Sequence, residues 1–279
     1  MSTARGWLLR VRQALADAGI ESAEREAQWL VEAGTGWRWP DLVTGSGEIE
    51  AAQERRILDL TRRRTLGEPL QYVTGVAGFR HLDVTVGPGV FIPRPETEQV
   101  VDRALAHLPR GGIAIDIGTG SGAMALAIAQ ERPDAEVWAT EVSPQALWWG
   151  ERNVAALSGA VHLVSGDLFD EVPSSLRRRL HVVVSNPPYV GRDEADELPE
   201  EVKDHEPQVA LFGGGDGLDV IRRITSEARD WLREGGWLVL EIGATQGDRV
   251  AALVEGLGYV EVSTGRDLGG RERIVEARR

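Results

Sequence analysis

Apolar side chains in the first ~75 residues recur every three or four positions, which is the period of an α-helix. The first such stripe consists of Trp7, Leu8, Val11 and Leu15. We expect Gly19 to end this helix and Ser22 to cap the next one. Gly34 and Gly36 are expected to end the second helix, and a third is predicted from about 48 to 64. Residues 1–74 are therefore predicted to form a small helical bundle.

A β-like pattern follows the helical segment. Two short runs of alternating apolar residues flank Gly87-Pro88-Gly89, which predicts a hairpin centred on those three residues. Pro93-Arg94-Pro95 is expected to be stiff and extended, because proline restricts its own φ and the residue before it. Glu96-Thr97-Glu98 then begins a helix that reaches about His107, with its acids near the positive end. Residues 75–98 are predicted to be a hairpin and linker.

From Gly112 onward, short apolar runs alternate with segments of helical pattern. The predicted strands are Ile113–Ile117, Glu136–Thr140, Val161–Ser165, Leu180–Ser185, Trp237–Ile242, Tyr259–Ser263 and Glu272–Ala277. The predicted helices are Gly122–Gln130, Pro144–Leu157, Leu218–Leu232 and Gly247–Glu255. This alternation is typical of a doubly wound, mostly parallel, seven-stranded Rossmann-like α/β sheet, here over residues 99–279. The long segment Val190–Gly217 is predicted to be a functional loop.

Composition narrows the classes of function. The chain has 279 residues, no cysteine and a net charge of −13, which excludes disulfides, thiolate metal sites and cysteine nucleophiles. The five histidines are scattered, so no metal site is expected. Residues 1–74 hold 10 basic and 11 acidic side chains, so the remaining residues hold 21 and 33. That acidity disfavours a nucleic-acid partner. The absence of a signal peptide or a long apolar run makes a cytoplasmic protein the expectation.

A glycine-rich turn joins the first two predicted elements of the sheet domain. Asp116-Ile117-Gly118-Thr119-Gly120-Ser121-Gly122 follows an apolar strand and precedes a helix, which lets a ligand lie against the main chain. Glu141 ends the next strand, where a carboxylate can accept both ribose hydroxyls of an adenosine cofactor. The spacing differs from the dinucleotide and P-loop patterns, which disfavours NAD and ATP. The alternative is a tight turn without a ligand, which Asp116 only caps.

A second motif, Asn186-Pro187-Pro188-Tyr189, follows the apolar strand that ends at Ser185. The prolines fix the turn and leave its carbonyls free. The Asn186 oxygen and the Pro187 carbonyl can accept the two hydrogens of an amide or amino nitrogen, and Tyr189 can stack on the flat group. A sulfonium methyl group held in line could then transfer directly, without a metal. The alternative is a rigid loop with a packed tyrosine.

Asp167 and Leu168 follow the third strand of the sheet domain. Asp167 is a candidate for binding an adenine amino group, and Leu168 is a candidate for packing on the ring. The alternative interpretation of Asp167 is a helix cap or a solvated acid.

The glycine-rich and Asn-Pro-Pro-Tyr motifs together resemble class I S-adenosylmethionine-dependent methyltransferases that act on amide or amino nitrogens. Three further stretches resemble bacterial release factor glutamine methyltransferases. They are the runs Gly67–Gly75 (GEPLQYVTG), Phe91–Glu98 (FIPRPETE) and Leu268–Arg273 (LGGRER). The similarity runs from about residue 8 to residue 276, and Pro-Arg-Pro-Glu-Thr-Glu is its most specific part.

This resemblance implies methylation of the side-chain amide nitrogen (N5) of the glutamine in the Gly-Gly-Gln motif of class-1 peptide chain release factors. S-adenosylmethionine would be the cofactor, S-adenosylhomocysteine the product, and translation termination the process affected. The implied cofactor-binding residues are Asp116, Gly118, Thr119, Gly120, Ser121, Gly122, Glu141, Asp167, Leu168 and Asn186. The implied substrate-binding residues are Asn186, Pro187, Pro188, Tyr189, Arg94 and Glu96, of which Asn186, Pro187 and Tyr189 are implied to be catalytic. The helical bundle would help to grip the release factor.

Two positions depart from the family pattern, and two other functions stay open. Glu141 stands where Asp is frequent, and Leu168 stands where an aromatic residue often follows the Asp. An adenine-N6 methyltransferase of DNA or RNA would use the same Asn-Pro-Pro-Tyr chemistry, but it needs a basic surface and a flipped base. A cofactor-binding protein without catalysis would keep the glycine loop and have no need of Asn186 and Tyr189.

Overall fold

The computed structural model describes residues 3–44, 48–157, 160–267 and 269–279, which form two compact units. The first unit consists of Met1–Val76 and Pro199–His205, and the second consists of Ala77–Leu198 and Glu206–Arg279. Leu268, which begins the run LGGRER, lies outside the described residues.

The first unit is helical, as predicted. Its helices are α1 (Ala4–Asp17), α2 (Ala23–Thr35), α3 (Trp39–Thr44), α4 (Ala51–Thr65) and α5 (Leu70–Thr74). Trp7, Val11 and Leu15 are buried and Leu8 packs against them, which confirms the first apolar stripe. The sequence pattern did not indicate the short helices α3 and α5.

One detail of the predicted helix ends is wrong, and another is confirmed only in position. Gly34 lies inside α2 and does not end it. A side chain at this position would come 2.4 Å from Ile57 Cγ1 on α4, so the absence of one allows the two helices to approach each other. This glycine serves close helix packing, and Gly36, with φ of +76°, ends the helix. Ser22 occupies the N-cap position, but its hydroxyl donates to Glu26 Oε1 at 2.8 Å and accepts no backbone N–H of the first turn.

The predicted hairpin also occurs elsewhere than expected. Strands β1 (Val76–Phe79) and β2 (Leu82–Thr85) form a two-stranded sheet whose turn contains Arg80, with φ of +52°. The Gly87-Pro88-Gly89 segment follows β2 and lies against a helix, where Trp149 Nε1 donates to Pro88 O at 3.3 Å. A side chain at Gly87 would collide with the Trp149 ring, so this glycine permits close contact and does not form the turn.

The second unit is a doubly wound α/β sheet, which confirms the predicted fold class. The helices, in chain order, are α6 (Glu98–His107), α7 (Ala123–Glu131), α8 (Pro144–Leu157), α9 (Glu200–His205, assigned to the first unit), α10 (Gln208–Leu211), α11 (Asp219–Trp231) and α12 (Gly247–Gly256). The strands are β3 (Ile113–Ile117), β4 (Glu136–Glu141), β5 (Val161–Ser165), β6 (Leu180–Ser185), β7 (Leu232–Glu241), β8 (Val260–Arg266) and β9 (Glu272–Arg278). The strand order is β5-β4-β3-β6-β7-β9-β8, in which β9 pairs antiparallel with both β7 and β8 and the other neighbours pair parallel.

Apolar side chains cover both faces of this sheet. Alternate residues of β3 point to opposite sides, so that Ile115 joins the core beneath α11 and α12 and Ala114 joins the core beneath α6 and α7. Strand β7 begins five residues before the predicted start, because Leu232 already pairs with Leu180 before an irregularity in the ladder. The segment Val190–Gly217 contains α9, α10 and a 3₁₀ turn at Arg192–Glu197, so it is more ordered than a loop.

Candidate active site

The carboxyl ends of four parallel strands lie side by side in the order β4-β3-β6-β7. Ile117 pairs with Thr140, and Ser185 pairs with Leu240, so the residues that follow these pairs share one edge of the sheet. Ligands bind at this edge in folds of this class. The structure therefore brings together the glycine-rich turn, Glu141 and the Asn-Pro-Pro-Tyr segment.

The glycine-rich turn is held by backbone hydrogen bonds. The N–H groups of Gly118 and Thr119 both donate to Thr140 O at 2.9 Å. Gly118 and Gly120 have φ of +71° and +59°, a region that other residues adopt with strain. A side chain at Gly118 would meet no atom within 4 Å, so the space beside this turn is open to a ligand.

Asp116 lies at the base of the turn and is fully buried. Its Oδ2 accepts a hydrogen bond from Thr119 Oγ1 at 2.6 Å, whereas Oδ1 makes no hydrogen bond within the described part of the chain. Burial raises the pKa of Asp116 to about 7, against the opposing effect of the Thr119 hydroxyl. A buried carboxyl oxygen without a partner is suited to a ligand that brings a donor.

Glu141 orders the turn from the neighbouring strand. Its Oε2 accepts the Gly120 N–H and its Oε1 accepts the Ser143 N–H, each at 2.8 Å. Burial raises the pKa of Glu141 although these backbone donors oppose the shift. Each carboxylate oxygen can accept one further hydrogen bond, which is what two adjacent hydroxyl groups of a ligand require.

Asp167 and Leu168 follow β5 at the same edge. Asp167 forms an exposed two-bond ion pair with Arg223 of α11, at 3.2 and 3.0 Å. Leu168 has φ of +52°, and its side chain is buried in the core of the sheet. The structure thus places the Leu168 side chain among apolar neighbours of the core and engages Asp167 with an arginine.

Asn186 is held by side chains from two distant segments. Its Nδ2 donates to Thr97 Oγ1 at 3.1 Å, and Thr97 Oγ1 donates to Glu241 Oε2 at 2.6 Å. Thr97 and Glu241 are 4% and 2% exposed, so these bonds are shielded from water. The Asn186 side-chain oxygen accepts no hydrogen bond from any described residue and is left as an acceptor at the strand end.

The rest of the Asn-Pro-Pro-Tyr segment is fixed through its backbone. Tyr189 O accepts a hydrogen bond from Gln246 Nε2 at 2.8 Å, and Gly213 packs against the Pro188 carbonyl. Tyr189 Oη donates to Glu241 Oε1 at 3.4 Å, a long bond. Burial and the nearby Glu241 carboxylate raise the pKa of Tyr189, so this residue stays neutral. Pro187 is buried beside Asn186.

Glu241 is the buried acid on which these contacts meet. Burial raises its pKa to about 7, while the Thr97 hydroxyl, the positive charge of Arg273 and the Tyr189 hydroxyl favour the charged form. Glu96 opposes them, because its negative charge raises the pKa further. The group therefore changes its charge near neutral pH.

Arg94 and Glu96, both predicted to bind substrate, already have partners in the structure. Arg94 is paired with the buried carboxylate of Glu206, which also accepts the Ile92 N–H at 3.3 Å. The Arg94 guanidinium also lies over the Phe91 ring, 4.8 Å from its centroid. Glu96 lies 3.9 Å from Arg271. These contacts tie the Pro-Arg-Pro-Glu segment to the rest of the second unit.

Sequence reasoning missed Thr97, Glu241, Glu206 and Gln246. Thr97 lies inside the Pro-Arg-Pro-Glu-Thr-Glu run, where the sequence pattern indicates only the start of a helix. Glu241 ends an apolar strand, and a lone acid in that position was the signal that could have identified it. No described group of three or more His, Asp or Glu side chains is arranged to share a metal ion. Among the described helices, none has the length and apolar character of a membrane span.

Comparison with known families agrees with the motifs. The model of the PrmC N-terminal domain matches residues 6–75, and that of the methyltransferase small domain matches residues 82–204. The release factor glutamine methyltransferase of Geobacter sulfurreducens is 36% identical and covers 98% of this chain and 97% of that protein. Its counterpart in Streptomyces coelicolor is 40% identical, with 96% and 95% covered. The enzyme of Gloeobacter violaceus is also 40% identical, with 98% and 96% covered.

Two solved structures show the same fold at lower identity. A methyltransferase from Pyrococcus furiosus matches with a TM-score of 0.53 and 24% identity, over 71% of this chain and 88% of that one. The hMettl16 catalytic domain matches with a TM-score of 0.56 and 16% identity, over 78% and 81%. Because the sequence relatives match over nearly their full lengths, the chain belongs to the release factor glutamine methyltransferase family.

Proposed function

We propose that this protein transfers a methyl group from S-adenosylmethionine to the side-chain amide nitrogen of the glutamine in the Gly-Gly-Gln motif of class-1 release factors. Family membership supports the reaction and the substrate. The structural observation that carries the proposal is Asn186, whose amide nitrogen is bonded inward to Thr97 while its oxygen is left as an acceptor. An amide nitrogen that is to be methylated needs such an acceptor for its N–H.

The strand-end residues fit an adenosyl cofactor. The open space beside Gly118, the partnerless Oδ1 of Asp116 and the two acceptor oxygens of Glu141 suit a ligand that carries an ammonium group and a ribose. We assign cofactor binding to Asp116, to the turn Gly118–Gly122 and to Glu141. Asp167 and Leu168 are assigned to the adenine end, where the Arg223 ion pair has to share Asp167 with the ligand.

S-adenosylmethionine, when bound, supplies a methyl group on a positively charged sulfur. Asn186 Oδ1 and the Pro187 carbonyl accept the two N–H hydrogens of the glutamine amide and so orient its nitrogen. The Tyr189 ring packs on the flat amide and faces the positive charge. Fixing the nitrogen in line with the methyl group supplies much of the rate, since orientation alone lowers the barrier. The nitrogen would gain the methyl group as the carbon–sulfur bond breaks, the bonding pair would stay with the sulfur of S-adenosylhomocysteine, and the nitrogen would release one proton to water.

The first helical unit is proposed to contact the release factor. Its match to the PrmC N-terminal domain supports this assignment. A full release factor should then have a lower KM than a short peptide that carries Gly-Gly-Gln. Equal KM values for the two substrates would remove the reason for assigning substrate contact to the helices.

The test is methyl transfer from labelled S-adenosylmethionine to a purified, unmodified release factor. We expect label to enter the factor and to be absent when the glutamine of Gly-Gly-Gln is changed to alanine. Duplex DNA is the second control, because an adenine methyltransferase would label it. Label on DNA with none on the factor would overturn the proposal.

A further inference from the structure

The side chains behind Asn186 form a directed series of hydrogen bonds. Asn186 Nδ2 donates to Thr97 Oγ1 at 3.1 Å, and Thr97 Oγ1 donates to Glu241 Oε2 at 2.6 Å. We call these three residues the Asn186 relay. Register places Asn186 and Glu241 next to each other, because Ser185 pairs with Leu240 and these are the next residues, and Thr97 lies between their side chains from the turn before α6.

The direction of this relay follows from the number of hydrogens on each group. A hydroxyl has one hydrogen to donate, and an ionised carboxylate can only accept. Where Glu241 is ionised, Thr97 therefore gives its hydrogen to Glu241, as the 2.6 Å bond to Oε2 allows, and the Thr97 oxygen is then able only to accept. Asn186 must then present its NH2 end to Thr97, because its oxygen would face another acceptor. A charged Glu241 thus excludes the flipped orientation of the Asn186 amide.

We propose that Thr97 and Glu241 are positioning residues, which turn the side-chain oxygen of Asn186 toward the nitrogen that is to be methylated. This inference rests on the proposed function, in which that oxygen accepts an N–H of the glutamine amide. Neither residue touches substrate, and both act through Asn186. A site whose supporting residues are buried and hydrogen-bonded holds its reacting group in one geometry.

The surroundings of Glu241 are consistent with this role. Arg273 of β9 and the Tyr189 hydroxyl favour its charged form, and Glu96 opposes it. If Glu241 took up a proton, it could donate to Thr97, and Thr97 could then donate to the Asn186 oxygen. That reversal would turn the amide and present its NH2 group to the substrate N–H, which is a repulsive arrangement.

A direct test of the relay requires no activity measurement. The chain contains only two asparagines, Asn153 and Asn186, so labelling with ¹⁵N-asparagine gives two side-chain amide signals. Asn153 serves as the internal control, because its Nδ2 donates to Thr85 O and Ser121 O, both at 2.9 Å. We expect Thr97→Val to shift the Asn186 signal and speed its exchange with water. Thr97→Ser should keep the wild-type position of the Asn186 signal and its wild-type exchange rate. The Asn153 signal should stay unchanged in each variant.

Kinetics supply the second readout. Loss of one oriented hydrogen bond predicts a fall in kcat of roughly 10- to 30-fold in Thr97→Val, with the KM for the release factor and the affinity for S-adenosylmethionine nearly unchanged. Thr97→Ser keeps the hydroxyl and should recover most of kcat. Thr225→Val is the matched control, since Thr225 is buried in α11 and its hydroxyl donates only to Arg222 O of the same helix, at 3.0 Å. It should leave kcat unchanged.

The outcomes separate this inference from the proposed function. If the wild-type protein methylates the release factor, wild-type kcat in Thr97→Val overturns the relay and leaves the function standing. An unshifted Asn186 signal in Thr97→Val overturns it as well, whatever the substrate. If the wild-type protein methylates no release factor, the proposed function fails, and the role assigned to the relay fails with it even where the NMR signals move as expected. A shift of the Asn153 signal would attribute the effect to general unfolding and would also count against the relay.

Discussion

The two halves of the candidate site are built by different means. On the cofactor side, Glu141 and the glycine-rich turn are held by backbone N–H groups of nearby segments, and the partners Gly120 and Glu141 are 21 residues apart. On the acceptor side, Asn186 depends on the side chain of Thr97, which lies 89 residues before it. Thr97 in turn depends on Glu241, which lies 144 residues after Thr97. A backbone cradle keeps its shape when side chains vary, whereas a side-chain relay is lost with any of its members. Substitutions on the cofactor side should therefore reduce the affinity for S-adenosylmethionine. Substitutions on the acceptor side should reduce kcat.

The largest effect is expected from removing the acceptor itself. Asn186→Ala should lower kcat for the release factor by roughly 100- to 1000-fold, the range seen when an oriented group at a reacting centre is removed. Initial rates at saturating concentrations of both substrates measure this. An unchanged kcat would show that other groups orient the substrate nitrogen, and the role assigned to Asn186 on the acceptor side would be wrong.

The cofactor side should respond in affinity. Glu141→Ala removes an acceptor for the ligand and one for Gly120, so the dissociation constant for S-adenosylmethionine should rise roughly 10- to 100-fold. Titration calorimetry measures that constant. Glu136→Ala is the matched control, because Glu136 lies at the opposite, exposed end of β4 and should change nothing. A lower kcat with unchanged affinity would contradict the division into two halves.

The pH dependence should separate the two sides as well. Burial raises the pKa of Glu241 to about 7, and the relay needs its charged form, which predominates above that pH. We expect kcat at saturation to fall up to about tenfold for each pH unit below 7. Glu241→Gln should remove the fall in kcat below pH 7, and it should also lower the maximum value of kcat. Asp116 has a similar pKa, but it faces the cofactor side, so its titration should appear in the dissociation constant.

The smallest effect is expected at the adenine end. Asp167 is exposed and paired with Arg223, so Asp167→Ala should raise the dissociation constant for S-adenosylmethionine only roughly twofold to fivefold. The melting temperature should hardly move, because exposed ion pairs contribute little to stability. A loss of affinity as large as that of Glu141→Ala would show that the arginine releases Asp167 to the ligand.

The cofactor half of the site was readable from the sequence because its chemistry is local. The turn Gly118–Gly122 and the acid at the end of the next strand fall within one β-α-β unit, whose spacing is fixed. The strands β3, β5 and β6 have the predicted bounds for the same reason, since each is a short apolar run between clear breaks. Whether the predicted site residues bind cofactor and substrate is what the experiments above decide.

The acceptor half could be predicted only as far as Asn186 and its immediate neighbours. The contacts with Thr97 and Glu241 depend on strand order and register, which a single sequence does not specify. Gly34 and the Gly87-Pro88-Gly89 segment were misread for a related reason. Glycine marks both turns and close contacts, and only the packing of Ile57 and Trp149 against these residues shows which applies.

The long separations within the Asn186 relay have a consequence for the newly made chain. During synthesis from the N-terminus, Thr97 is joined to the chain first, Asn186 next and Glu241 last. Until Glu241 has been added, the acceptor that takes the Thr97 hydrogen is missing, so the relay cannot fix the Asn186 amide. The acceptor side can therefore be completed only after β7, which carries Glu241, has been made.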